Sequence, residues 1–335
     1  MFRSMLKKLT WVGHLGVAVG LLYYVLRHLV NKDEFLEIAG QINWVWLIPI
    51  GILTFFGKWS IATQTRIGLL HYNISLSNWS ILKIQFRATL FSFLFAGDFV
   101  GGGLTWYYFT KENKQRAQVA SLLFFLRLVN LITIIPFGFI GFIIHPQLSK
   151  SAKAVFVLVS AINIIIILPF MVPVFARICT RLLMVVAEWF RWKRVKIAIT
   201  NFSYAIEHGA TIPLKESFGI WGNSVLAHLL GLLSLQIVCS MADISVSIIA
   251  LVLIRSLLLI ITSLPLILGG TGVRELSLVS ILQTMYSIDT SRSAVLSLLM
   301  LATMVLFNAM PGAILLFPTF DRLGKKNFKT WLNNK

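Results

Sequence analysis

Six charged residues fall in or beside strongly apolar sequence: Arg87, Asp98, Arg127, Arg255, Arg274 and Glu275. In hydrocarbon an ionised side chain is costly, and it persists only when it is paired, hydrated or committed to function. Asp98 and the adjacent Arg274–Glu275 pair read as functional. Asp98 has an alternative use, pairing with Arg87 or Arg127 to hold a helix bundle together. Arg255, in the middle of its run, suits the neutralisation of a phosphate or a structural ion pair. Lys58, with Arg66 a little further on, reads as a snorkelling interfacial residue whose stem lies along apolar surface.

Three of these charges, Asp98, Arg274 and Glu275, stand in or next to glycine breaks. The first break reads Phe95-Ala96-Gly97-Asp98-Phe99-Val100-Gly101-Gly102-Gly103, and the second runs from Leu264-Pro265 through Gly269-Gly270-Thr271-Gly272 to Arg274-Glu275. Backbone that leaves the helix at membrane depth has unpaired donors and acceptors, which is tolerated only inside protein or along a wet cavity. Glycine lets the chain turn sharply and approach a ligand closely. Amide N–H groups opening the next half-helix form a seat for phosphate. The plain alternative for each break is a packed kink that holds nothing.

The elements that must position these residues follow from composition. Of 335 residues, 57% are hydrophobic and 13% charged, where a soluble domain has about 25% charged. Apolar runs long enough to span a bilayer lie at about 9–30, 44–63, 117–143, 154–176, 217–240 and 293–318. The first follows a basic start without a cleavage-like site and reads as a retained helix. Two longer stretches, 79–110 and 243–287, contain the glycine breaks. With the N-terminus inside, the inward segments carry nineteen basic and five acidic residues, and the outward ones four and five. That bias sets the orientation, with both termini in the cytoplasm of a cytoplasmic (inner) membrane protein.

The expected fold is therefore an all-α polytopic membrane protein of about six full spans and two glycine-broken re-entrant hairpins. The first membrane half is 1–176, with its hairpin at 79–110. A basic amphipathic connector, 177–216, rests on the membrane surface. The second half is 217–320, with its hairpin at 243–287, and a basic tail fills 321–335. The hairpins enter from opposite faces, the pattern of inverted-topology repeats whose broken helices meet near the midplane. Residue-level identity between the halves is not evident, so the symmetry rests on topology.

Other chemistries find little support. The six histidines show no zinc spacing, no phosphate-binding loop of the nucleotide-hydrolase type occurs, and the glycines at 269–272 follow no soluble strand. No cofactor is expected. Cys179 and Cys239 read as small buried hydrophobes. The net charge of +18 sits between apolar runs, which points to anionic lipid headgroups and not to nucleic acid.

At the two breaks the chain resembles the flippase-like membrane domain of lysylphosphatidylglycerol synthases, a family that includes stand-alone membrane proteins. The resemblance is strongest from Pro265 to Glu275, with its Pro, Gly-Gly-x-Gly and Arg-Glu, and looser at Gly97-Asp98 and along Ala117–Asn130. The family often has Arg where this chain has Gly101, and an acidic residue at Leu126. The resemblance implies a lipid or polyisoprenoid translocase, or a partner of envelope-biosynthesis proteins making glycolipids. With no aminoacyl-transfer segment after residue 335, the synthase reaction is not expected. The expected function is flipping of an anionic phospholipid or polyisoprenoid-linked lipid, without catalysis. The site would be drawn from Arg87, Gly97, Asp98, Gly101, Arg127, Arg255, Pro265, Gly269, Gly270, Thr271, Gly272, Arg274 and Glu275. A membrane-embedded transferase using Asp98, or a non-catalytic scaffold, is the alternative.

Overall fold

The computed structural model describes residues 40–94, 98–111, 115–144, 213–263 and 273–316, with isolated positions between them. The expected spans at 9–30 and 154–176, nearly all of the connector 177–216 and the tail 321–335 lie outside those residues. So do Gly97, Pro265, Gly269, Gly270, Thr271 and Gly272.

All regular structure among the described residues is helical. A short 3-10 turn, Trp44–Trp46, is capped by Asn43, whose Oδ1 accepts the Val45 N–H at 3.1 Å. It leads into α1 (Leu47–His71), followed by α2 (Asn78–Leu94), α3 (Asp98–Thr110) and α4 (Arg116–Ile144). The second group is α5 (Leu214–Met241), α6 (Ile248–Ser263), α7 (Val273–Tyr286) and α8 (Thr290–Leu316). Helices α1, α4, α5 and α8 are long and apolar enough to cross a membrane. At most 39% of each spanning window is buried within the protein. Large apolar side chains such as Ile48, Phe56, Ile143, Phe218 and Ile314 face outward, which suits lipid and would be unfavourable in water. The chain is a multi-pass membrane protein.

The other four helices have 13 to 17 residues, short of the roughly 20 needed to span. They form two pairs, α2 with α3 and α6 with α7; Gly101, Gly102 and Gly103, expected in a break, lie instead within helix α3, while residues 95–97 and 264–272 lie outside the described residues. Helix α1 runs about two turns past the expected limit at residue 63, because Gln64, Thr65, Gly68 and Leu69 are buried against neighbouring helices. Residues 64–71, expected in a cytoplasmic loop, are therefore helix.

The two groups repeat one another. Helix α1 ends in a left-handed cap: Asn73 N–H donates to Leu70 O and Ile74 N–H to Leu69 O, both at 2.9 Å, with Asn73 at φ 57°. Helix α5 ends the same way, with Asp243 N–H on Ser240 O at 3.2 Å, Ile244 N–H on Cys239 O at 2.9 Å, and Asp243 at φ 53°. Asn and Asp tolerate this backbone region better than other side chains. Ile74 and Ile244 then bury themselves, as the residue after such a cap commonly does. Ser77 and Ser247 each accept the N–H three residues on, at 3.2 and 3.3 Å, and start α2 and α6. Asn73-Ile74-Ser75-Leu76-Ser77 and Asp243-Ile244-Ser245-Val246-Ser247 are thus equivalent turns. This corrects the expectation that the halves share no residue-level likeness.

Equivalent helices run in opposite directions. Along the α1–α5 contact, Gly57 meets Leu230, Ser60 Oγ donates to Asn223 Oδ1 at 3.0 Å, Ile67 meets Gly219 and His71 meets Glu216. Numbers rise on one helix as they fall on the other. The two short-helix pairs therefore start from opposite ends of the bundle. Each packs on the last long helix of the other half through a glycine. A Cβ at Gly141 of α4 would press on Leu253 N and Ile249 O of α6 at 3.1 and 3.2 Å. One at Gly312 of α8 would overlap the Phe86 carbonyl of α2. Two apolar cores result. One gathers around Leu69, Ile74, Leu82 and Leu122, the other around Leu235, Ile254, Leu282 and Leu296.

Candidate functional site

Between the two cores lies a cavity of about 670 Å³ to which all eight helices contribute. Carried back along the helices, the alignment that sets Asn73 on Asp243 sets Lys58 on His228, Gln64 on Ser234 and Gln85 on Arg255. All six of these residues line the cavity. The cavity therefore sits on the axis relating the halves, and the two short-helix pairs reach it from opposite ends.

Its lining is cationic. Among the described residues it holds Lys58, Arg127, Arg255 and Arg274 and no carboxylate. Lys58 Nζ donates to Thr89 Oγ1 at 2.9 Å, and that hydroxyl donates to Gln85 O, which ties α1 to α2. Lys58 is thus a cavity residue, which corrects its reading as an interfacial one. Large apolar side chains of α1 such as Ile48, Ile52 and Phe56 face outward, so the ammonium is best placed on the polar inner face of the helix. Arg255 Nη1 donates to Gly231 O at 3.1 Å. A Cβ on Gly231 would overlap that guanidinium, so the glycine is the notch in α5 that admits it. Its Nε has no hydrogen-bond partner.

Arg274 and Glu275 open α7. Arg274 Nη2 and Nε donate to Glu275 Oε1 at 2.8 and 3.2 Å, and Nη1 to Met304 Sδ at 3.0 Å. The Glu275 carboxylate is 1% exposed and sits in the first turn of its helix, where the helix dipole favours a negative charge. Arg274 reaches the cavity and Glu275 positions it. Gly101 and Gly102 of α3 also line the cavity. A Cβ at Gly101 would come 2.7 Å from Ala88 O. The close α2–α3 approach therefore requires glycine where the family often has arginine. Asp98 opens α3, and its side chain lies outside the description.

Arg87 is directed elsewhere. Its Nη2 donates to Leu315 O at 2.8 Å, and its guanidinium lies 5.9 Å from the Tyr108 ring centre, which places it at the junction of α2, α3 and α8. Asn130 of α4 was not anticipated. It accepts from Ser224 Oγ at 2.7 Å, and its carbonyl meets His228 Nε2 at 2.9 Å, joining α4 to α5 beside the cavity. Helix α8 carries a π-helical turn, Val305–Ala309, just where Asn308 lines the cavity; such turns often occur at functional sites.

Residues 11–312 match the family described as the lysylphosphatidylglycerol synthase TM region. The chain belongs to that family. The matched span takes in seven helices whole, all but the last four residues of α8, and the whole cavity lining, so the cavity lies within what the family shares. Membership gives the protein a role connected with membrane lipid. No curated protein and no solved structure matches the chain.

Proposed function

We propose that the protein translocates an anionic phospholipid or polyisoprenoid-linked lipid between leaflets, with the headgroup passing through the central cavity. The observation that carries this reading is a cation-lined space, without a carboxylate among its described lining, at the axis between two oppositely directed pairs of short helices. In a bilayer these pairs act as re-entrant hairpins entering from opposite faces. Cationic side chains gathered at membrane depth are costly, and a phosphate arriving from the lipid offsets part of that cost. Rocking of one half against the other would open the cavity to each leaflet in turn, as inverted repeats allow. In this reading both termini lie on the cytoplasmic side of the cytoplasmic membrane, which the excess of Lys and Arg in the inward segments supports.

Purified protein in phosphatidylcholine vesicles containing a fluorescent anionic phospholipid provides the test, with an impermeant reductant quenching the outer leaflet. Wild-type protein is expected to expose the inner-leaflet label, and Arg255→Ala with Arg274→Ala to slow that exposure by at least about tenfold, a little over 1 kcal/mol. Rates equal to those of protein-free vesicles would remove the proposal.

A further inference from the structure

His228 of α5 lines the cavity, and its Nε2 meets the Asn130 carbonyl oxygen of α4 at 2.9 Å. A carbonyl only accepts, so Nε2 carries the hydrogen of the neutral ring and Nδ1 keeps the lone pair. Among the described lining, His228 is the one group whose charge ordinarily changes between about pH 5 and 8. The equivalent position in the first half is Lys58, an amine that ordinarily holds its charge over that range. One half therefore sets a standing cation at the cavity, and the other a cation that comes and goes.

The charges around the ring are all of one sign. Helix α6 brings Arg255, whose Nη1 donates at 3.1 Å to the Gly231 carbonyl, one turn along α5 from His228. Helix α1 brings Lys58, α4 brings Arg127 and α7 brings Arg274. The part of α8 that lines the space carries no titratable group, nor do the parts of α2 and α3. The Glu275 carboxylate is buried in its pair with Arg274 and does not line the cavity. A proton on Nδ1 thus adds a fifth positive charge to a space with no described carboxylate, and an anion entering that space offsets it. The two events reinforce one another by linkage: whatever factor the anion lends to proton binding, the proton lends to anion binding.

We propose that His228 couples lipid movement to protons: each singly charged lipid crosses with one proton on Nδ1, taken from water on one side and released to water on the other. This rests on the translocation proposed above and adds what drives it. The pair crosses without net charge, so a pH difference drives it and a membrane potential does not. A lipid anion crossing alone would respond to the potential instead.

Phosphatidylcholine vesicles carrying a trace of fluorescent phosphatidylglycerol, a singly charged lipid, tell these apart. A potassium ionophore first holds the potential at zero while a pH difference of one unit is imposed. Wild-type protein is then expected to draw the label toward about tenfold enrichment in the leaflet facing the alkaline side, matching the tenfold proton ratio. The reading is taken over a time in which protein-free vesicles show no change. At equal pH a potential of about 60 mV, which would drive one free charge by the same factor, is expected to leave the wild-type leaflets even. His228→Gln keeps an N–H for the Asn130 carbonyl and takes up no proton. It is expected to reverse both results, ignoring the pH difference and enriching the label on the positive side, which also shows that the variant is folded. Wild-type leaflets that follow the potential and ignore pH, or a pH response that survives His228→Gln, would overturn the coupling and leave translocation standing. Should the variant move no lipid, the wild type decides alone. A pH indicator sealed inside is expected to record protons moving with the label, and a silent indicator while lipid moves would overturn the coupling. Failure of the wild type to move the label under either gradient would overturn translocation itself.

Discussion

At the scale of single residues, the charges in this membrane protein fall into two kinds. Arg87 is consumed by structure, capping the Leu315 carbonyl and lying against Tyr108. Arg255 and Lys58 line the cavity, held by the Gly231 carbonyl and the Thr89 hydroxyl. Arg274 does both, since it faces the cavity and neutralises the buried Glu275 carboxylate. Removing one partner of a buried pair strands the other, at about 3–5 kcal/mol where burial is complete; the Arg274 side chain is 23% exposed, so the cost here falls below that range. Arg274→Leu is expected to lower the melting temperature in detergent by at least about 4 °C. Adding Glu275→Leu is expected to recover more than half of that loss, because the stranded carboxylate is gone. A double variant no more stable than the single one would show that the pair does not act as a unit. The sequence alone marked these charges, Lys58 excepted, as unusual. It did not sort them, because the sorting depends on which helix lies opposite. Lys58 looked interfacial for the same reason: its neighbour Thr89 is on another helix.

Between elements, the halves meet through small residues. Gly312 meets the Phe86 carbonyl and Gly141 meets backbone of α6, so neither neighbour can move aside the way a flexible side chain can. Overpacking of this kind costs about 1–3 kcal/mol per site. Gly312→Leu and Gly141→Leu are both expected to lower the melting temperature. Gly222→Ala, whose added methyl meets nothing within 4 Å, is expected to leave it unchanged or raise it slightly. Equal effects from all three would mean that the helices are not closely apposed at Gly141 and Gly312. The stretches 79–110 and 243–287 were legible as more than one helix because each is too long for a single span, although Gly101, Gly102 and Gly103 proved helical. The long helices among the described residues were legible to within a turn, except the end of α1, where buried Gln64 and Thr65 resemble loop residues in sequence. The repeat went unseen because the halves share caps and not packing residues. Only the left-handed Asn73 and Asp243, each followed by Ile-Ser and a capping serine, preserve it. A comparison of the two turns alone would have found it.

The whole molecule is two copies of one plan, turned over and joined around a charged space. This inversion has a direct consequence for sidedness. Ser75 and Ser245 occupy equivalent exposed positions in the two turns. In a background lacking Cys179 and Cys239, Ser75→Cys is expected to react with an impermeant maleimide only from the cytoplasmic side, and Ser245→Cys only from the opposite side. Labelling of both from one side would break the inverted arrangement. The site itself was half legible. Arg127, Arg255, Arg274 and Gly101 were named from sequence and line the cavity, whereas Gln64, Gln85, Asn130 and His228 were not, since uncharged polar residues in apolar runs are common and carry no signature of their own.

The most direct measurement is a density map of the protein in lipid nanodiscs containing phosphatidylglycerol. Phosphate density inside the cavity, within hydrogen-bond reach of Arg255 and Lys58, is the expected result. An empty or closed cavity, with lipid density confined to the outer surface of the bundle, would contradict the account.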